Sequence, residues 1–496
     1  MEYKSTRGNL TASPAEAVLR GIAPDGGLYI DPALAARHFD VEKCLALDEM
    51  GMAKMLLEFL LPEFEDMDAL VERAYTGKFD GGRISPLVKC GDAWVLELFH
   101  GPTSAFKDVA LSMLPQLITA AREKLGISEE TVILTATSGD TGKAALEGFH
   151  DVAGTGIIVF YPEGGVSPIQ RAQMVTQPGR NVRVCAVRGN FDDCQRGVKE
   201  AFAAVDGASF GKKLSSANSI NIGRLAPQLI YYFSAYAQLI RGGEIEYGDR
   251  VDFIVPTGNF GDILAGYYCK LIGLPVGRLV CAANENNVLR DFIDTGCYDA
   301  RRDFKRTSSP SMDILVSSNL ERLLFLASGG DSATVAAWMA ALKEDGVYSV
   351  DSDTHARIRA VFSAGYADED ATRRTIARIW RDEGYLCDPH TAVAMSVMAD
   401  YRNSGDYTGA KCVVLSTASP FKFPAAVLSA IAPGAAADEG EGFALLHELS
   451  ARTSLPIPKN LAALEHMEVR HGDVIEKSEI IDYVKDILRN GGFEKP

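Results

Sequence analysis

Among residues whose type and setting could do chemistry, Lys107 stands first. It ends the run Trp94-Val-Leu-Glu-Leu-Phe-His-Gly-Pro-Thr-Ser-Ala-Phe-Lys107. The mostly apolar stretch 94–99 reads as a strand, and Gly101-Pro102 breaks it. Thr103 and Ser104 are good helix N-caps, and Val109, Leu111, Met113, Leu114 and Leu117 continue as a helical pattern. Lys107 is therefore expected in the first turn of a helix that follows a strand. The positive end of a helix disfavours an ammonium group and lowers its pKa. A neutral lysine amine is a nucleophile that forms Schiff bases. A single lysine near a helix start is usually a solvated cation, so the weight rests on the other loops.

Pro256-Thr-Gly-Asn-Phe-Gly-Asp262 follows an apolar run and opens a helix. Its glycines let backbone N–H groups approach a ligand, and the helix end favours a dianion. Asp262 would repel a phosphate, so its side chain is expected to turn away or cap the helix. Ser138-Gly-Asp-Thr-Gly142 is a second glycine loop. It lacks the spacing of a Walker A motif. A third segment, 215–228, carries Arg224, whose planar fork could clamp a carboxylate or a phosphate. The late segment Leu415-Ser-Thr-Ala-Ser-Pro-Phe-Lys-Phe423 supplies hydroxyls after a strand. An amine, glycine loops and a hydroxyl are the parts a pyridoxal phosphate site needs. His390 reads as structural.

The elements that must position these loops alternate. Strands are expected at 131–135, 157–161, 182–187, 251–255, 279–283 and 413–416, with helices after the loop 136–142 through Phe149, at 167–176, at 192–205 and up to 271. Such alternation means parallel α/β, with ligands at the carboxyl ends of the strands. At 496 residues, two or three domains are expected. Residues 290–380 read as a charged, mostly helical surface insertion, and 436–442 as a loose surface loop. The apolar stretch 225–240 contains Gln228, Ser234 and Gln238, so it reads as a buried helix and not a membrane span. A net charge of −16 argues against nucleic acid or anionic membrane as the main partner. The nine cysteines lack metal-ligand spacing, so no metal is expected; the thiols read as buried and reduced in a cytoplasmic protein.

His100-Gly-Pro-Thr-Ser-Ala-Phe-Lys-Asp108 resembles the cofactor-lysine segment of the threonine synthases of bacterial and fungal type. Tyr3-Lys-Ser-Thr-Arg-Gly8, Ala23-Pro-Asp-Gly-Gly-Leu-Tyr29 and Ser311-Met-Asp-Ile-Leu-Val-Ser-Ser-Asn-Leu-Glu-Arg322 resemble the same family; Thr6 and Arg7 are read as a structural turn. The resemblance implies a fold-type-II pyridoxal phosphate enzyme, tryptophan synthase β-like. It has two parallel α/β domains and an N-terminal subdomain. The expected organisation is an N-terminal subdomain at 1–90 and a large cofactor-binding domain at 91–125 and 220–435, with the helical insertion at about 290–380. A small mobile domain takes 126–219, and a C-terminal segment at 436–496 packs on the large domain.

The resemblance also implies roles. Lys107 holds pyridoxal 5′-phosphate and is catalytic. Phe106, Asp140, Gly258, Asn259, Phe260, Gly261, Asp262 and Thr417 complete the cofactor set, with Thr417 facing the pyridine nitrogen. Asp140 stands where many fold-type-II enzymes carry an asparagine against the pyridine 3′-oxygen. Thr103, Ser104, Ser138, Gly139, Thr141, Asn218, Ser219 and Arg224 form the substrate set. The implied reaction turns O-phospho-L-homoserine and water into L-threonine and phosphate. The alternative is a phospho-lyase on the same scaffold that gives 2-oxobutyrate. A monomer or homodimer is expected.

Overall fold

The computed structural model describes residues 1–433, 442–489 and 493. The loop read at 436–442 thus lies, up to 441, outside the described residues. Two parallel sheets organise the chain. The large sheet runs in the order Phe362–Tyr366, Val276–Ala283, Val251–Pro256, Lys411–Ser416, Ala93–Glu97, Leu87–Cys90. All neighbours are parallel except the last pair, a hairpin. Its central strands are runs of Val, Ile, Leu, Phe and Cys, buried because helices cover both faces. The small sheet runs Asp473–Glu476, Val182–Arg188, Thr155–Pro162, Glu130–Ala136, Lys212–Ser215, all parallel. The helix Lys107–Lys124 leads from the large sheet toward the small one and packs on the helix Asp140–Phe149.

The strands and helices expected between 94 and 283 form where the alternation placed them, within a few residues. Two expectations change. The range 290–380 is not only a helical surface insertion. It contributes the strand Phe362–Tyr366 to the edge of the large sheet and buries Arg322 completely. The C-terminal segment divides between the domains. The helix Gly442–Thr453 packs beside Pro424–Ile431 on the large domain. The strand Asp473–Glu476 joins the small sheet, and the helix Ile480–Arg489 packs on Phe191–Ala204. Ile480, Val484 and Leu488 lie on one face of that helix, and the small domain offers Cys194, Val198 and Ala201 to bury them.

The N-terminal strands Tyr3–Ser5, Thr11–Ala12 and Tyr29–Ile30 form a small antiparallel sheet. Arg7 pairs with Glu321 through two bonds of 2.9 and 2.7 Å, and the Thr6 hydroxyl donates to the same carboxylate. Thr6 and Arg7 therefore tie this subdomain to the helix Leu320–Ala327. The stretch 225–240 forms the largely buried helix Leu229–Arg241. No helix among the described residues is long and apolar enough to cross a membrane.

Candidate active site

Three adjacent strands of the large sheet end at the same edge, and each delivers one loop. Ala93–Glu97 leads to Lys107, Val251–Pro256 to the loop 257–261, and Lys411–Ser416 to Thr417. The Thr417 segment runs against the lysine loop. Phe106 N donates to Thr417 O (2.9 Å), and Ser419 N donates to Ser104 O (3.1 Å). An isolated antiparallel bridge joins Ala105 to Ala418, and the Thr417 hydroxyl makes no hydrogen bond among the described residues.

Lys107 is the first residue of its helix and is buried. Its pKa is lowered to about 8, first by burial, with Arg224 and Lys422 adding to the effect and Asp140 and Asp262 opposing it. Burial, and not the helix end named above, is the larger cause. Nζ stands 4.4 Å from the centre of the Phe106 ring. Thr103 and Ser104 do not cap the helix; the cap position is Phe106. The Thr103 N–H (2.8 Å) and hydroxyl (2.5 Å) both donate to Asp108. Burial raises the Asp108 carboxyl to about 6. Thr103 is thus tied to the first turn of the helix through Asp108. Ser104 takes a left-handed φ of 58°, and its Oγ is 2.8 Å from Nδ2 of Asn460, which also donates to Pro102 O (2.9 Å). The Ser104 hydroxyl thus meets Asn460 of the C-terminal segment.

Asp140 opens the helix Asp140–Phe149. It forms an ion pair with Lys422 at 2.6 Å, and both side chains are fully buried. Gln170 Nε2 donates to Oδ1 (2.8 Å), and Ser311 Oγ reaches Oδ2 at 3.4 Å. Burial alone would raise the Asp140 pKa, but Lys422 and then Lys107 outweigh it and hold it well below the usual carboxylate range. Lys422 also donates to Thr103 O at 3.1 Å. Gly139, with φ 134°, precedes the helix; a Cβ there would meet Gln170 at 2.4 Å. Ser138 and Thr141 flank it, half-buried. The Thr137 hydroxyl accepts from Gly139 N (3.0 Å) and Gly142 N (2.8 Å) and so fixes the turn. His390 is structural: Nδ1 bonds Asp388 (2.6 Å), and Nε2 accepts from Ser311 N (3.2 Å).

The loop 257–261 carries Phe260 at φ 61° and starts the helix Gly261–Leu271. The first N–H groups of that helix have no intrahelical partner. Gly258 must be glycine, because a Cβ would stand 2.8 Å from Ser311 O. Asn259 is exposed at the tip. Asp262 turns away, as expected, but does not cap. Its Oδ1 accepts from Tyr231 (2.6 Å) and Tyr232 (3.0 Å), and burial raises its pKa to about 6.

The segment 216–224 returns from the small sheet. Arg224 is buried, and burial lowers its pKa to about 10. Its Nη1 donates to Ala217 O (2.8 Å), while Nε has no partner among the described residues. A buried guanidinium without a carboxylate beside it fits an anionic ligand. Ser219 lies against Gly261, and Asn218 is exposed. The site thus brings together Lys107, Asp140, Asp262 and Arg224, with Ser219 at the rim of the glycine loop. Lys422, Gln170, Asn460 and Asn319 were not foreseen. Lys422 stands inside the Thr417 string, but nothing in that string reveals its partner. A tuned buried amine, free helix-end donors and an unpaired buried guanidinium match a phosphate-bearing aldehyde cofactor.

Comparison with known proteins follows the same lines. A family model described as "Pyridoxal-phosphate dependent enzyme" matches residues 80–418. Models described as "Threonine synthase N terminus" and "Threonine synthase, C-terminal" match residues 2–75 and 391–485. The threonine synthase of Pseudomonas aeruginosa is 40% identical over 95% of this chain and 99% of its own. That of Saccharomyces cerevisiae is 37% identical over 86% of this chain and 89% of its own. A crystal structure of pyridoxal phosphate-bound threonine synthase from Brucella melitensis superposes with a TM-score of 0.86, at 37% identity, covering all of both chains.

Proposed function

The chain belongs to the threonine synthase family of pyridoxal phosphate-dependent enzymes, and from that premise we propose its substrate and the work of its residues. The substrate is O-phospho-L-homoserine, which with water gives L-threonine and phosphate. One observation carries the reading. Lys107, a buried amine with a pKa of about 8, stands where the lysine, glycine and Thr417 loops meet. At that pKa a large share is neutral near physiological pH and can act as nucleophile and base.

Lys107 is the attachment point of the cofactor. The loop Gly258, Asn259, Phe260 and Gly261 would hold its phosphate, and Thr417 would serve its ring nitrogen. The bound cofactor supplies a sink for the electron pair left when the substrate loses its α-proton. Asp140, one half of an ion pair with Lys422, would serve the 3′-oxygen. The pair is close to neutral overall, which lets a carboxylate serve where an amide would otherwise be needed. Lys107 accepts the proton from Cα and then serves Cβ and Cγ. Ser138, Gly139 and Thr141 bind the substrate carboxylate at the start of the helix Asp140–Phe149. Arg224 and Ser219, with Asn218 at the edge, receive the phosphate that leaves Cγ. Water then adds at Cβ.

Product analysis tests this reading. Cofactor-loaded protein incubated with O-phospho-L-homoserine is expected to give threonine and phosphate in equal amounts. Phosphate with 2-oxobutyrate would replace the reading with a lyase that uses the same residues. No turnover of this substrate would overturn the assignments at 138–141 and 218–224.

A further inference from the structure

Asn319 belongs to none of the segments expected to hold the cofactor, yet its side chain ends beside the glycine loop. It is completely buried. Its backbone N–H donates to Asn259 O (3.1 Å), which fastens it to the loop from behind. Its Oδ1 accepts from Arg322 Nη1 at 2.6 Å. That bond fixes which end of the amide is oxygen, because a guanidinium has no acceptor to offer a flipped NH2. Arg322 cannot move aside: Nε donates to Tyr29 O (2.9 Å), and Nη2 donates to Ile220 O. The amide Nδ2 is therefore aimed, and it has no hydrogen-bond partner among the described residues. It lies 3.3 Å from where a Cβ on Gly261 would stand, and Ser219 Cβ lies 3.9 Å from the same point. Gly261 is the first residue of an eleven-residue helix.

A fully buried NH2 group without an acceptor is costly unless a ligand supplies one. The nearest acceptor such a place can take is an anion, because the helix end and the loop N–H groups already favour negative charge. We propose that Asn319 donates from Nδ2 to a phosphomonoester held at the Gly258–Gly261 loop, with Arg322 as the positioning residue that keeps the amide turned toward it. The inference rests on the reading of this loop as the cofactor's phosphate site. It joins the region 290–380 and the N-terminal subdomain to the cofactor through Arg322 and Tyr29.

The cofactor and the substrate both carry such a phosphate, and the test separates them. Asn319→Leu removes the donor at similar volume; Asn319→Asp turns a carboxylate oxygen toward the anion. Binding to the full-length apoprotein is measured by equilibrium dialysis with pyridoxal phosphate and with pyridoxal, which lacks the phosphate. Pyridoxal phosphate should bind about tenfold more weakly to Asn319→Leu and about a hundredfold more weakly to Asn319→Asp, with pyridoxal binding unchanged. Unchanged pyridoxal phosphate binding with a raised KM for O-phospho-L-homoserine would assign the donor to the substrate's phosphate and overturn the cofactor assignment. Variants that fold like wild type by circular dichroism, and change neither quantity more than about twofold, would overturn the proposal altogether. If the wild-type apoprotein binds pyridoxal phosphate no better than pyridoxal, the phosphate-site reading itself fails.

Discussion

The Lys422–Asp140 pair offers the sharpest test of the site's electrostatics. Lys422→Met keeps the length of the side chain and removes its charge. Asp140 would then be a buried carboxylate whose hydrogen bonds among the described residues come from Gln170 at 2.8 Å and Ser311 at 3.4 Å. Breaking a buried pair by removing one partner costs about 3–5 kcal/mol. Part of that cost is relieved if Asp140 turns to the other nearby cation, Lys107. Lys422 is among the groups that lower the Lys107 pKa, and Asp140 is the first that raises it. The substitution removes one and unbalances the other, so the Lys107 pKa should rise above about 8, while burial, its largest cause, still holds it below 10.5. At pH 7.5 a pKa near 8 leaves roughly a quarter of the amine neutral, and any rise in the pKa cuts that share. Stopped-flow absorbance of cofactor uptake by the apoprotein, read across pH, reports the neutral amine. The wild-type rate should rise with pH through about 8, and the Lys422→Met curve should lie at more alkaline pH. The double variant Asp140→Asn/Lys422→Met removes both charges, so its curve should return to the wild-type position or below. A Lys422→Met curve superimposable on wild type, or a double variant no nearer to wild type than the single, would refute the reasoning.

Lys107→Ala should abolish turnover of O-phospho-L-homoserine in a phosphate-release assay, and turnover near the wild-type rate would remove Lys107 from the mechanism. For Asp262, a folded pKa raised above its unfolded value means that stability is full below 3.8 and falls as pH rises through about 6. Asp262→Asn should therefore raise thermal stability at pH 8 by up to about 3 kcal/mol and change little at acid pH; equal effects at both pH values would contradict this. Arg7→Ala should loosen the N-terminal subdomain, seen as faster limited proteolysis of residues 1–75, and leave KM within about twofold, since Arg7 is spent on Glu321. Gly139→Ala places a Cβ 2.4 Å from Gln170 at φ 134°. It should lower the melting temperature, at a cost of about 1–3 kcal/mol, and weaken substrate binding; a wild-type melting curve would show that the turn tolerates a side chain.

That the central strands are parallel was legible because a strand buried on both faces must be a continuous apolar run, and the helices between them are long enough to cross over. The edges were not. Phe362–Tyr366 contains Ser363, Ala364 and Gly365 and joins the sheet through its main chain. Asp473–Glu476 is half exposed, at the edge of the small sheet. Neither carries a side-chain pattern that announces a strand, so the C-terminal segment read as belonging wholly to the large domain. Thr103 and Ser104 misled for a related reason. Ser and Thr before a helix are capping residues by type, but here Asp108 reaches back to Thr103, and Asn460, from the far end of the chain, takes Ser104.

The chain by itself determined the lysine that starts a helix after a strand, the glycine loops and the edge of the sheet where they gather. Loop chemistry is local: a glycine that admits a ligand, or a lysine that starts a helix, is written in a few consecutive residues. Charge balance and orphaned groups are not local. That Asp140 is neutralised by Lys422, that Lys107 is tuned mainly by burial, and that Asn319 and Arg224 point unpaired donors into the interior were decided only by folding. Each depends on how much water the assembled domains exclude and on which partner, distant in sequence, arrives within hydrogen-bond reach.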